Sequence, residues 1–450
     1  MLKPILTAIL SGLAIFAAPL LASAENHNAP HQEPLPATQA DTTGYSRFRF
    51  GGYGEMLASW KDYGINRLDG TATGNARTHR ATIAIPRFVL AFDYKFNKNW
   101  ILGAEIEFEA GGTGTAVELE NSENGEYETE IEKGGEVALE QFHITRLILP
   151  QLNVRVGHMI LPVGLTNAHH EPINFFGSFR PEAETSLMPS TWHETGIEIF
   201  GSFGRRFTRF DYQLMVVAGL NANGFDRDEW IIGGKAGLFE ADNFTSPAYV
   251  ARVDYSGVPG LRTGISGYYC HNAGANSDKE QTYKSIGRIP VAIMTWDAQY
   301  RNRYVTARAN LTYGYVGNSA LLSDANRKLS NKSPYSRLVP IAKNALSYGA
   351  EAGVNLRSVF GGKTPTIYPF ARYEYYNPQY RGEGRQSMDR RFEVSQWQAG
   401  VNWFALPNLV VKADYTHRAI GTQAVFGRSR YTSENEFSIG VAYIGWFLRK

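Results

Sequence analysis

The sequence predicts an all-β protein: a transmembrane antiparallel β-barrel of about sixteen strands, with one loop folded into its interior. Three observations carry this expectation. Short segments repeat an apolar/polar alternation of period two, tight turns alternate with long polar connections, and past the first two dozen residues no run reaches the roughly 18 apolar residues a membrane helix needs.

The alternation is read strand by strand. Leu409, Val411, Ala413 and Tyr415 share one face, while Val410, Lys412, Asp414 and Thr416 share the other. Trp397, Ala399, Val401 and Trp403 oppose Gln396, Gln398, Gly400 and Asn402 in the same way, and Tyr249, Ala251, Val253 and Tyr255 oppose Val250, Arg252 and Asp254. Trp100, Leu102, Ala104, Ile106 and Phe108 oppose Gly103, Glu105, Glu107 and Glu109. Rings and small residues on one face and charge on the other suit a wall with lipid outside and water inside better than a sandwich core. In Val137 to Leu149 the alternation slips phase, which predicts a bulge.

Connections supply an independent test. Turn residues cluster at Asn97-Lys98-Asn99, Pro150-Gln151, Gly257 to Gly260, Asn302-Arg303, Gly361-Gly362-Lys363 and Pro407-Asn408, with a longer turn over Ser202 to Arg209. Long polar segments lie between them: 61–85, 111–135, 161–193, 221–246, 271–288, 317–345, 377–391 and 421–435. This strict alternation of short and long connections is what an outer-membrane barrel requires.

Lys3, the apolar stretch Ile5 to Leu21 and the small residues Ala22-Ser23-Ala24 predict a signal peptide over residues 1–24, hence export and a bacterial outer-membrane location. Residues 25–45 read as a flexible periplasmic tail and residues 46–450 as the barrel. With 45 Lys+Arg against 43 Asp+Glu, the chain has no electrostatic footprint for nucleic acid. Cys270 is the single cysteine, so no internal disulfide forms. The surplus of 25 Tyr and 25 Phe suits a lipid-facing surface.

A barrel of this size is wide enough for a water-filled lumen. The segment Leu161 to His193, stiffened by Pro162, Pro172, Pro181 and Pro189, is the candidate for an inward constriction loop; folding over the external mouth or against a neighbouring subunit is the alternative. Inward folding presents Asn167, His169, His170, Glu171, Asn174, Arg180, Glu182 and Glu184 to a permeating solute. From the strands, Arg155, Arg252, Arg262, Arg308, Arg357, Arg372 and Lys412 are expected in the lumen, together with Glu105, Glu107, Glu198, Glu351 and Glu374. Acids balance bases on these faces, so the residues alone assign no sign to the selectivity. Adjacent histidines do not readily converge on one ion and no helical H-x-x-x-H occurs, so no metal or other cofactor is expected.

The block from Arg155 to Gly201 carries Gly157, Pro162, Gly164, Asn174, Arg180-Pro181, Glu184, Pro189, Trp192, Glu194 and Gly196. It resembles the central segment of the phosphate-selective porin O and P family, in the versions found in Bacteroidetes-type bacteria. The resemblance implies a homotrimeric sixteen-stranded porin that conducts small anions past basic residues.

The functional expectation is therefore a passive diffusion channel for small hydrophilic solutes, anions such as phosphate among them, embedded in outer-membrane lipid. No G-x-S-x-G or comparable nucleophile elbow is present, and an enzyme is not expected. A barrel-scaffolded enzyme and a surface anchor or adhesin with a blocked lumen stand as alternatives at this stage.

Overall fold

The computed structural model describes residues 47–63, 79–110, 117–121, 127–131, 136–235, 244–277, 280–329, 338–421 and 431–449. The expected signal peptide and tail, and parts of six long connections, lie outside these residues. The strands in chain order are β1 (Phe48–Asp62), β2 (His79–Lys95), β3 (Trp100–Glu109), β4 (Val117–Asn121), β5 (Tyr127–Ile131), β6 (Glu136–Leu149), β7 (Leu152–Ile160), β8 (His193–Phe203) and β9 (Phe210–Val217). They continue with β10 (Ala248–Tyr255), β11 (Leu261–Cys270), β12 (Val291–Arg301), β13 (Val305–Val316), β14 (Asn344–Val354), β15 (Thr366–Arg381), β16 (Val394–Leu406), β17 (Leu409–Gly421) and β18 (Tyr431–Arg449).

Sixteen of these strands form one closed antiparallel barrel, each paired with its barrel neighbour and β1 sealed to β18. Leu57 opposes Gly440 and Trp60 opposes Phe437 in that seam, so neither the first nor the last strand leaves an open edge in the membrane. The remaining two, β4 and β5, pair only with each other as a hairpin within the long 111–135 connection.

The period-two pattern decides which side chains meet lipid. Trp397 is 62% exposed on the outer face of β16, whereas Gln396, Gln398 and Asn402 are buried inside. Trp60, Tyr249, Tyr269, Tyr415 and Phe437 are exposed near the long-loop end, and Phe96, Trp100, Phe203, Trp403 and Phe447 near the short-turn end. Two aromatic girdles flank an apolar belt, the outer surface of a membrane-spanning barrel.

Two features differ from the sequence reading. Strands β1 and β2 pair out to Asp62–His79, so residues 79–85 continue the wall; exposed residues at a barrel rim alternate too weakly to be distinguished from a loop. The turn after β14 contains a short helix, Leu356–Phe360, capped by Asn355. The β3–β6 register passes from Glu105–Gln141 to Ile106–Leu139 and skips Glu140, which is the bulge in β6 that the phase slip within Val137 to Leu149 predicts.

The long connections are less polar in effect than in composition. Leu220, Phe225, Trp230, Ile231, Ala273, Ile289, Leu322 and Ile341 form one buried cluster with Val217, Val250, Tyr268 and Ile293 on inward strand faces. The long-loop end of the barrel thereby carries a buried apolar cluster beside ion pairs such as Lys343–Glu383 and Arg391–Asp389.

Candidate functional site in the barrel lumen

Between β7 and β8 the chain leaves the wall and folds inward over residues 161–192, making two helical turns, α1 (Leu165–Ala168) and α2 (Glu182–Thr185). His193, at the predicted loop end, is already the first residue of β8 and pairs with Ile160.

Glu184 ties the two turns together. Its carboxylate accepts the N–H groups of Leu165 (2.9 Å) and Thr166 (2.5 Å) and the side-chain amide of Asn310 on β13 (2.8 Å). Gly164 adopts φ +82° beside this carboxylate, a conformation and a space that a Cβ would spoil. Asn167 closes the loop base: its amide donates to the carbonyls of Val163 and Pro189, and its Oδ1 accepts Trp192 N–H at 2.9 Å. Arg180 spans the loop to the hydroxyls of Ser190 (3.2 Å) and Thr191 (3.3 Å), and Asn174 donates to Glu171 at 2.7 Å.

The far wall holds the loop by charge matched to backbone polarity. Lys412 Nζ donates to the carbonyls of Pro172 (2.5 Å), Phe175 (3.0 Å) and Gly177 (2.8 Å), and sits over the Phe175 ring. Arg308 donates to the Asn174 carbonyl at 2.6 Å, and Arg372 donates to the Phe176 carbonyl while pairing with Glu351 at 2.6 Å. Glu374 does the reverse, accepting the N–H groups of Ala183 (3.0 Å) and Glu182 (3.2 Å). Each bond is between an ionised side chain and a loop that lacks regular backbone pairing, which makes it stronger than a neutral one.

The Glu182 side chain reaches Arg418 on β17 at 2.9 Å and accepts from the Tyr376 hydroxyl at 2.9 Å. Burial alone raises a carboxyl, but Arg418 and Tyr376 outweigh it and hold Glu182 below the usual range. A cavity of about 20 Å³ between α1, α2 and β13–β15 has room for about one water, so the loop fits the wall closely.

Elsewhere the predicted lumen residues pair among themselves. Arg252 is fully buried and binds Asp254 and Asp297, each at 2.8 Å. Arg155 binds Glu198 at 2.8 Å. Arg262 pairs with Asp254, donates to the His169 ring at 2.7 Å, and keeps 35% of its side chain exposed. Glu107 faces Arg87 at 3.5 Å, and Glu105 accepts from Gln141. Burial, and for His169 the adjacent Arg262, push both loop histidines down; His170 falls to about 4.

Arg357 departs from its expected place. It stands exposed on the Leu356–Phe360 turn helix, because the alternation counted through β14 stops at Val354, where the chain leaves the wall. Arg418 and Glu140 were missed. Arg418 continues the Lys412, Asp414, Thr416 series by one more step and was legible; Glu140 lies at the bulge, where counting by two fails.

No family model matches the chain. An uncharacterized protein of Aquifex aeolicus (strain VF5) is 25% identical over 375 residues, spanning 81% of this chain and 74% of its own length. Among solved structures, OmpF of Salmonella typhi in complex with daunomycin aligns at a TM-score of 0.51 and 10% identity, covering 89% of this chain and 98% of that one. The anion-selective porin from Comamonas acidovorans aligns at 0.50 and 10%, covering 89% and 100%. The closed barrel, its apolar belt and these alignments agree, and the chain has the fold of an outer-membrane porin.

Proposed function

We propose that the protein is a passive outer-membrane channel for small hydrophilic solutes, that it catalyses no reaction, and that the 161–192 loop sets the width of its pore. The observation that carries this reading is the clamp of Lys412, Asp414, Arg372, Glu374 and Arg418 on that loop. A loop fixed to the wall gives a constant aperture, and fixed charges beside an aperture act on solutes at short range.

The finer reading is a preference for small anions, phosphate among them, in a homotrimer whose 1–24 leader is removed on export. Most lumen cations are buried against carboxylates or loop carbonyls, so this preference rests on Arg262, which pairs with Asp254 yet keeps 35% of its side chain exposed. The similarity of the Arg155–Gly201 block to phosphate-selective porins and the fold shared with an anion-selective porin support it.

Purified mature protein in a planar bilayer tests both levels. Steady conductance with a reversal potential on the anion side, reduced by phosphate, is expected. A cation-side potential would remove the anion reading and keep the channel. Absence of conductance from folded protein would overturn the channel itself.

A further inference from the structure

We propose that Glu105, Glu140 and His170 form a binding site for a divalent transition-metal cation, which fastens the inward loop to the near wall of the barrel. Glu105 lies on β3, Glu140 on β6 and His170 in the loop, and one ligand atom from each falls within 4.8 Å of the others.

Carboxylates in a lumen do not make a site by themselves. What distinguishes this group is that its deepest members lack partners where they face each other. His170 is 6% exposed and Glu140 is fully buried. Glu140 Oε1 and His170 Nε2 lie 3.8 Å apart, beyond hydrogen-bond range, and neither atom has a hydrogen-bond partner among the described residues. An unmade bond on a buried polar group is destabilising. A cation bonded to both at about 2.0–2.2 Å spans a gap of this size.

The surrounding cations make their hydrogen bonds elsewhere, with Arg87 Nη1 and Arg180 Nε left without one among the described residues. Arg87 bonds Glu55 at 2.9 Å and faces Glu107. Arg180 directs its terminal nitrogens to Ser190 and Thr191. Gln141 supports Glu105, and the Tyr53 hydroxyl approaches the other oxygen of Glu140 at 3.4 Å. These two contacts orient the carboxylates as supporting residues orient metal ligands.

The backbone shows the same aim. Glu140 is the residue skipped by the β3–β6 register, and a bulge turns a side chain toward a point that regular pleating would miss. Of the two adjacent histidines only His170 takes part; His169 faces Arg262 instead. The spacing argument against two adjacent ligands therefore holds, and the missing ligands come from distant strands. One imidazole with two carboxylates favours Zn²⁺ or a similar ion over Ca²⁺ or Mg²⁺, which prefer all-oxygen shells.

The test is equilibrium dialysis of the EDTA-stripped mature protein in detergent against Zn²⁺, a readout independent of conductance. One Zn²⁺ per chain is expected, with Glu140→Gln and His170→Gln each weakening binding at least about tenfold, and with a His271→Gln control at an exposed position unchanged. Circular dichroism establishes that each variant is folded. Should both variants misfold, X-ray absorption at the zinc edge of the wild-type complex decides: a nitrogen-and-oxygen shell with a single imidazole supports the site. No binding, binding unaffected in folded variants, or a shell without imidazole would overturn it.

Discussion

The Asp414 carboxylate accepts both the backbone N–H of Ser178 at 2.8 Å and its hydroxyl at 2.7 Å, across 236 residues of chain. One wall carboxylate thus fixes the tip of the loop, with Gln398 bracing its other oxygen at 2.7 Å. Asp414→Ala removes three bonds at once. Loss of about 2–3 kcal/mol is expected, with faster proteolysis near Ser178 and a larger, noisier single-channel current; unchanged current would detach the tip from pore width.

Lys412 holds the same stretch from the opposite polarity. Lys412→Met keeps the stem and leaves three carbonyls without their cation. The expected cost is on the order of 3 kcal/mol, read as a lower urea midpoint of the folded barrel. Lys412→Arg is expected to recover part of it.

Arg262 gives the selectivity test. Arg262→Gln removes the half-exposed lumen cation while Arg252 still satisfies Asp254. The reversal potential in a salt gradient is expected to move toward the cation side with little change in conductance. A reversal potential that does not move would show that Arg262 does not set the selectivity.

Acid should loosen the loop of the metal-free protein. His170 stays neutral down to about 4 because it is buried, and His169 is depressed by burial and then by Arg262. The unfolded imidazole takes its proton near 6.5, so stability present above that pH falls as pH drops from 6.5 toward 4. Trp192 fluorescence, from the loop base, is expected to change over this window, and His170→Gln to shrink the change.

The outer segment around Asp226 should respond in the opposite sense. Burial pushes this carboxyl up to about 6, against the pull of the Glu229 N–H, with Asp228 and Glu229 adding repulsion. A raised carboxyl stabilises its segment below the unfolded value and loses that contribution as pH rises through 6. Amide exchange at residues 226–230, corrected for intrinsic rates, is expected to be slower at pH 5 than at pH 7.5. Asp226→Asn keeps the acceptor for Asp228 and Glu229 N–H and should flatten the difference.

The wall was legible because period two is imposed by lipid on one side and polar groups on the other. Trp397 to Trp403 and Lys412 to Thr416 show it without help from context. The loop's unusual proline and histidine content marked its location, but sequence could not show what it binds. Lys412 and Glu374 look like pore-lining charges in a linear reading; their actual partners are carbonyls and N–H groups, which carry no sequence signature. Phe225 and Trp230 were hidden for a related reason: among polar neighbours they fit no period, and only the folded loops collect them into a core.

The strands that grip the loop come late. Residues 172–184 follow β7, yet their ligands stand on β13 to β17, between Arg308 and Arg418. The loop's carbonyls and carboxylates therefore find these partners only in a wall that includes the final third of the chain. The position of the loop is accordingly set by strands remote from it in sequence, so a substitution in β13 to β17 is felt at residues 172–184.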